Sequence, residues 1–117
     1  MSSSPEIRRL IKCIEFLNET FSPRLTLDNL ALFLLIAEKS PYPMIDLASR
    51  YDNDTSRTSK KVNALADQRY GGGTYKEGYR VIYTAENQEN RAYKDAYLSE
   101  KGAEIKNKLI SILKSSK

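Results

Sequence analysis

Residues 30–37 are apolar without interruption, and this run constrains the fold more than anything else in the chain. Together with Leu27, the residues Leu30, Ala31, Leu32, Phe33, Leu34, Leu35, Ile36 and Ala37 make a helix over 27–38 that is apolar almost all round. A helix of that kind has to be central, with other elements packed about it. It is also the longest apolar run, and it falls far short of the roughly 20 residues that span a bilayer. Thr26 is placed to cap the helix, with Asn29 at the position that usually holds the Glu of a capping box. Lys39-Ser40-Pro41-Tyr42-Pro43 ends it, and the two prolines stiffen the link to the next helix.

Two other helices are amphipathic. Residues 5–20 open on Ser4 as N-cap, Pro5 at the first helical position and Glu6 in the first turn. Ile7, Leu10, Ile11, Ile14, Leu17 and Phe21 recur at spacings of three and four, while Arg8, Arg9, Lys12, Glu15 and Glu19 take the other side. At the far end Ser99 caps a helix from Glu100 with a stripe of Ile105, Leu109, Ile112 and Leu113. These faces exceed what one central helix can cover. Surplus apolar faces at both ends of a chain are best buried against a second copy, so a homodimer is expected.

Between them, residues 43–50 read as a short helix, 51–54 as a polar turn and 55–68 as a second helix, with Asp54 at its N-cap. Two short helices around a tight turn outline a helix-turn-helix, whose second helix enters the DNA major groove. Val62, Leu65 and Ala66 fall on one side of that helix. Its first turns carry Thr55, Ser56, Arg57, Thr58, Ser59, Lys60 and Lys61, which are donors for phosphates and base edges.

After residue 68 the period changes. Arg69 and Tyr70 close the helix and Gly71-Gly72-Gly73 reads as a flexible stop. Residues 78–84 and 91–98 are rich in β-branched and aromatic residues and flank a polar turn over 86–90, which gives a β-hairpin. Lys76, Arg80, Arg91 and Lys94 in this region are matched by Glu77, Glu86, Glu89 and Asp95. The hairpin is therefore not an electropositive one. Tyr79, Tyr83, Tyr93 and Tyr97 suit cross-strand packing better than stacking on single-stranded bases.

A chain of 117 residues suits one domain, residues 1–117, with a single core. Its net charge of +4 is compatible with nucleic acid. Histidine is absent and cysteine occurs once, which removes the usual zinc sites, the Ser-His-Asp triad and the Cys-His pair. Nothing matches a phosphate-cradling or dinucleotide-binding glycine loop. No cofactor, no metal and no enzymatic activity are expected. The N-terminal residues lack the basic and apolar regions of a signal peptide, and the lone cysteine favours a reducing compartment. A cytoplasmic protein with no membrane partner is the expectation. Cys13, beside the first apolar stripe, is expected to be a buried, inert thiol rather than a redox sensor.

A helix-turn-helix followed by a hairpin is a winged helix, and residues 25–113 resemble the MarR family of winged-helix regulators. The resemblance rests on Leu25-Thr26-Leu27-Asp28-Asn29-Leu30-Ala31-Leu32 at the opening of the second helix, and on Asp46-Leu47-Ala48 before the turn. It rests also on the Ser/Thr- and Arg-rich run from Ser56 to Leu65, on Asn90-Arg91-Ala92 near the wing, and on Leu98-Ser99-Glu100-Lys101-Gly102, which is similar to the family's Leu-Thr-x-x-Gly. The stretch 68–77 is longer than the family usually has there. Aligned without gaps from Leu98, the family's wing arginine falls at Ala92, so Arg91 takes its place with a one-residue shift.

The expected fold is mainly α with a β-hairpin wing: a winged helix-turn-helix with N- and C-terminal dimerisation helices. The dimerisation helices are placed at 5–21 and 103–114, the helix-turn-helix at 44–68 and the wing at 76–98. Leu30, Phe33, Leu34, Ile45, Leu47, Val62, Leu65 and Leu98 are the expected core. The resemblance implies a homodimeric regulator of transcription that binds double-stranded DNA. Ser56, Arg57 and Lys60 are expected at base edges, with Thr55, Ser59 and Lys61 nearer the phosphates and Arg91 in the minor groove. A winged-helix module that binds a protein partner and no DNA is the alternative, supported by the acidic balance of the hairpin. A small-ligand sensor is a third class, with nothing in the chain to name its ligand.

Overall fold

The structure, a computed structural model, describes residues 4–21, 25–51, 55–66, 68–71, 74–90 and 93–114. Five helices and five short strands come in the order α1 (Pro5–Thr20), α2 (Leu27–Glu38), β1 (Tyr42–Pro43), α3 (Met44–Tyr51), α4 (Thr55–Leu65), β2 (Gln68–Gly71), β3 (Thr74–Glu77), β4 (Ile82–Glu86), β5 (Lys94–Leu98) and α5 (Glu100–Lys114). The fold is a winged helix-turn-helix: mainly helical, with a small antiparallel sheet of order β1-β5-β4.

The helix starts are set by their caps. Ser4 Oγ accepts the Ile7 N–H at 3.3 Å at the head of α1. Thr26 Oγ1 accepts the Asn29 N–H at 3.1 Å, and its hydroxyl donates to Asn29 Oδ1 at 3.2 Å, so Thr26 caps α2 and the Asn29 side chain orients the capping hydroxyl.

The core lies where α2 meets α3, α4, α5 and β5. Leu32, Phe33 and Ile36 of α2, Leu47 of α3, Val62 and Leu65 of α4, and Val81, Ile82 and Ala96 of the wing region are sealed from solvent. Leu30 and Leu98 pack against this cluster while half-buried. Phe21, at the end of α1, sets its ring edge-on to Phe33 and Tyr79 with centroids 6.3 and 5.0 Å away.

Two expected core residues lie outside it. Leu34 is 44% exposed and Ile45 is 52% exposed. Ile45 is two residues before Leu47, which on a helix is nearly the opposite side. Leu34 lies on the part of α2 that its partners leave open, so the helix is central but not enclosed.

Boundaries also differ from the sequence expectation. Pro43 joins β1, where Tyr42 pairs with Ala96 and Pro43 with Asp95. The Ser40 hydroxyl continues this pairing by accepting the Leu98 N–H at 2.9 Å. The wing strands begin later than expected, at Ile82 and Lys94. The second helix of the helix-turn-helix ends at Leu65, not at residue 68. Residues expected to close it form instead a separate two-stranded ribbon, β2 with β3, in which Gln68 pairs with Glu77 and Gly71 with Thr74. The turn 52–54, with the expected cap Asp54, and the glycines 72 and 73 lie outside the described residues.

The segment Tyr79-Arg80-Val81 ties these parts together. Its three N–H groups donate to the carbonyls of Ala64, Ala66 and Leu65 at 3.0, 2.7 and 2.9 Å, which satisfies the last turn of α4. Its carbonyls face the other way. Arg80 O accepts the Ser99 hydroxyl at 2.8 Å, Val81 O accepts the Ser99 N–H at 3.1 Å, and Tyr79 O accepts Lys101 Nζ at 3.0 Å. Arg80 adopts a left-handed φ of 60° to turn the chain between the two sets. Ser99 Oγ also accepts the Gly102 N–H at 3.0 Å, so one hydroxyl both caps α5 and holds the strap.

Gly102 lets α5 come this close. A Cβ on it would overlap the Val81 carbonyl and come within 2.7 Å of Leu98 Cδ1. The first contact is backbone that is already committed to hydrogen bonds, so it has no freedom to give. Gly102→Ala is therefore expected to lower stability by about 1–3 kcal/mol even though alanine favours helix. Urea unfolding checks this. An unchanged midpoint would mean that α5 does not rest on the strap.

Candidate nucleic-acid interface

Burial along α4 separates an inner from an outer face. Thr58, Val62, Leu65 and Ala66 recur at helical spacing and are buried. Ser56, Arg57 and Lys60 are exposed. Ser59 and Lys61 lie at the border, half-buried. Of the residues singled out from sequence, Ser56, Arg57 and Lys60 are thus brought onto one solvent-facing surface. Thr55 opens the helix, but its side chain lies outside the described part of the structure, as does all of Arg91.

Lys61 has a second attachment. Its Nζ lies 3.0 Å from Asp28 Oδ2, in the first turn of α2. The pair is partly solvated, so its contribution to stability is small. Its geometric effect is larger, because it joins the outer edge of α4 to the central helix. The sequence gives no hint of this role for Asp28. An acidic residue in a first helical turn is explained by the helix dipole alone, and nothing local points to a partner 33 residues away.

The packing of Thr58 is equally hidden in the sequence. It stands among polar neighbours, yet it is 1% exposed and its hydroxyl has no hydrogen-bond partner among the described residues. It acts as a small β-branched core residue on the inner face of α4.

The wing carries little net charge of its own. Across β4 and β5 the register sets Glu86 opposite Lys94 and Tyr83 opposite Tyr97. The two tyrosine rings stack at 5.1 Å with 6° between their planes. The turn is built on Asn87. Its Oδ1 accepts the N–H groups of Glu89 and Asn90 at 2.9 and 3.1 Å, and its Nδ2 donates to the buried Asp95 at 3.0 Å. An Asn that opens a polar turn is a recognisable signal for such backbone bonding.

Elsewhere the molecule offers little chemistry. No three His, Cys, Asp or Glu residues converge among the described residues, and none of the described helices is long and apolar enough to cross a membrane. Burial pushes the Cys13 thiol up from its ordinary value. An open groove of about 340 Å³ runs between α2 and α5, lined by Leu34, Ala37, Leu109, Ile110 and Leu113 with Glu38 and Lys106 at its rim.

Helix-turn-helix, ribbon and wing define the class of fold. No known family model matches the chain, and no curated protein matches it either. Among solved structures, the chain is similar to the MarR-family regulator BpsR of Bordetella bronchiseptica. The TM-score is 0.57 at 9% identity, over 90% of this chain and 72% of that one. The description of that structure concerns regulation of BpsR DNA binding by 6-hydroxynicotinic acid.

Thr58→Val keeps the shape of the buried side chain and removes an unpaired hydroxyl. Its expected effect is a gain in stability of up to about 1 kcal/mol, read as a higher midpoint in thermal or urea unfolding. A loss would reveal a partner for the hydroxyl.

Proposed function

We propose that the protein is a MarR-like transcriptional regulator that binds double-stranded DNA as a homodimer. The observation that carries this reading is the outer face of α4. Ser56, Arg57 and Lys60 are exposed together on the second helix of a helix-turn-helix, while Thr58, Val62 and Leu65 fix the opposite face in the core. A helix so held presents the same side chains to a groove each time it binds, which is what base readout requires. The similarity to BpsR, a protein whose DNA binding is regulated, supports the same reading. The site consists of Ser56, Arg57 and Lys60 at base edges, Thr55, Ser59 and Lys61 toward phosphates, and Arg91 at the wing. Lys61 then does two things, since it also reaches Asp28. A single cysteine, well buried, is in keeping with a cytoplasmic setting.

The dimer rests on apolar surface left uncovered. Ile7, Leu10, Ile11 and Ile14 of α1 are about half exposed, and so is Leu113 of α5. Leu34 and Ile110 join Leu113 along the α2–α5 groove. Contiguous apolar surface of this kind is rare on a monomer. Two copies related by a two-fold axis would cover it and set their α4 helices about one helical turn of DNA apart. Light scattering at micromolar concentration is expected to give twice the chain mass. Ile11→Glu with Leu113→Glu is expected to give a folded monomer.

For DNA, Arg57→Ala is expected to weaken the preferred duplex by about 1–3 kcal/mol and relax specificity at one base pair. The measurement is a fluorescence titration with genomic fragments from around the protein's own gene, at two salt concentrations. If wild type binds no fragment better than the Arg57→Ala, Lys60→Ala, Lys61→Ala variant, α4 does not read DNA. The charge pairing of the wing, Glu86 against Lys94, would then favour the second reading, a winged-helix module that binds a protein partner.

A further inference from the structure

Helix α4 holds three cations, Arg57, Lys60 and Lys61, and no acidic residue of its own. A carboxylate nevertheless stands at its edge, supplied by another element. Lys61 Nζ donates to Asp28 Oδ2 at 3.0 Å, although the two residues are 33 apart in the chain. Asp28 lies in the first turn of α2, and its side chain is 56% exposed against 28% for Lys61. The helix dipole accounts for an acidic residue in that turn, but not for its partner on α4. Stability does not account for the pair either, because ion pairs as solvated as this one add little.

The position of the pair matters more than its strength. Lys61 follows Lys60 and stands four residues after Arg57, so on the helix surface it borders the exposed face that those two share. An anion that approaches this border meets the Lys61 ammonium and the Asp28 carboxylate together. Charges in solution are felt over about 8–10 Å at ordinary ionic strength. Over that range two groups in contact act as their sum, and the sum here is close to zero.

We propose that Asp28 is an affinity-setting residue of the DNA face: it offsets the charge of Lys61 and so limits the grip of α4 on the phosphate backbone of any duplex. The proposal rests on the DNA-binding reading of α4 and deepens it. A phosphate that takes the Lys61 ammonium takes it from a carboxylate, so the exchange releases no net counterion. Affinity falls with salt in proportion to the number of phosphates neutralised, and Lys61 drops out of that number. The offset acts on all sequences alike, because phosphates carry none of the sequence information. Base readout stays with Ser56, Arg57 and Lys60, on the side of α4 away from the core.

The test uses the full chain and a labelled random-sequence duplex of about 30 base pairs, which holds a dimer footprint with flanks. The logarithm of the binding constant is measured against the logarithm of salt concentration. Asp28→Asn keeps the shape of the side chain and removes its charge. It is expected to bind more tightly than wild type at low salt and to steepen the slope by about one unit for each bound chain. Asp28→Ser removes the same charge with a different side chain and is expected to match it. Adding Lys61→Gln to Asp28→Asn is expected to return the slope to the wild-type value, and Asp28→Glu to keep it there. Glu104→Gln makes the same change of charge at an exposed position on α5 and is expected to leave the slope within error of wild type. Thermal unfolding, taken alongside, is expected to show each variant folded. A slope that is unchanged or shallower in both Asp28→Asn and Asp28→Ser, or one that Glu104→Gln steepens as much, overturns the role of Asp28. Arg57→Ala still weakening the preferred duplex would then leave α4 as the reader. Wild type that binds no duplex overturns both.

Discussion

The strap Tyr79-Arg80-Val81 is the constraint on which the remaining architecture depends. A winged helix must hold three things in fixed relation: the end of the recognition helix, the start of the wing and the helix after the wing. Here three consecutive residues do so with their backbone alone. Their N–H groups close the C-terminus of α4, and their carbonyls receive Ser99 and Lys101 at the head of α5. Each bond satisfies a group that would otherwise be left unpaired at a helix end or a turn. The left-handed conformation of Arg80 allows one short segment to serve both sides. The Leu98-Ser99-Glu100-Lys101-Gly102 motif has its physical basis here. Ser99 caps and grips, Lys101 reaches Tyr79, and Gly102 makes room for the Val81 carbonyl.

Much of this fold is legible in the sequence wherever a local rule decides the outcome. Ser4 and Thr26 cap the helices that their positions indicate, and α1 and α2 occupy the residues their periodicities mark. Val62, Leu65 and Ala66 mark the inner face of α4 correctly. The failures share a cause. Leu34 and Ile45 are apolar residues whose burial depends on which side of their helix a neighbour occupies, and sequence does not say that. Thr58 and Asp28 are polar residues whose partners, or lack of them, are set by tertiary contact. The end of α4 differs from expectation for a similar reason. Residues 66–70 are compatible with helix by propensity, but the returning strap takes the carbonyls of Ala64, Leu65 and Ala66. The candidate interface is legible as a group of residue types, and Val62 and Leu65 already indicate the side on which Ser56, Arg57 and Lys60 stand exposed; the inward Thr58 is what the sequence does not mark.

The central helix raises a question of balance. A helix as apolar as α2 requires cover on all sides. Within one chain it receives α3, α4, β5 and part of α5, and Leu34 is left at an open groove. The shape of the molecule is consistent with this. It extends 55 Å along its longest axis and only 26 Å along its shortest. Cys13, Leu17 and Phe21 anchor the C-terminal half of α1 in the core, and Ile7, Leu10 and Ile11 of its N-terminal half remain half exposed. Incomplete cover on α2, α5 and α1 together is one property, not three. Each face lacks the same thing, a further layer of apolar surface, and the proposed homodimer would supply it to all of them at once.

Charge obeys a different logic from burial in this molecule. The apolar faces are the ground for the proposed self-association, whereas the cations are spread over α1, α4 and α5. Within the wing, Glu86 opposes Lys94, and Asp95 is taken up by Asn87. Lys61 is drawn toward Asp28. Arg57 and Lys60 are exposed on the outer face of α4. A net charge of only +4 is therefore a poor guide to the field that a partner meets. Under the proposed DNA-binding reading, a long anionic partner lying along α4 meets both exposed cations, whereas one at the wing meets Lys94 with Glu86 opposite it.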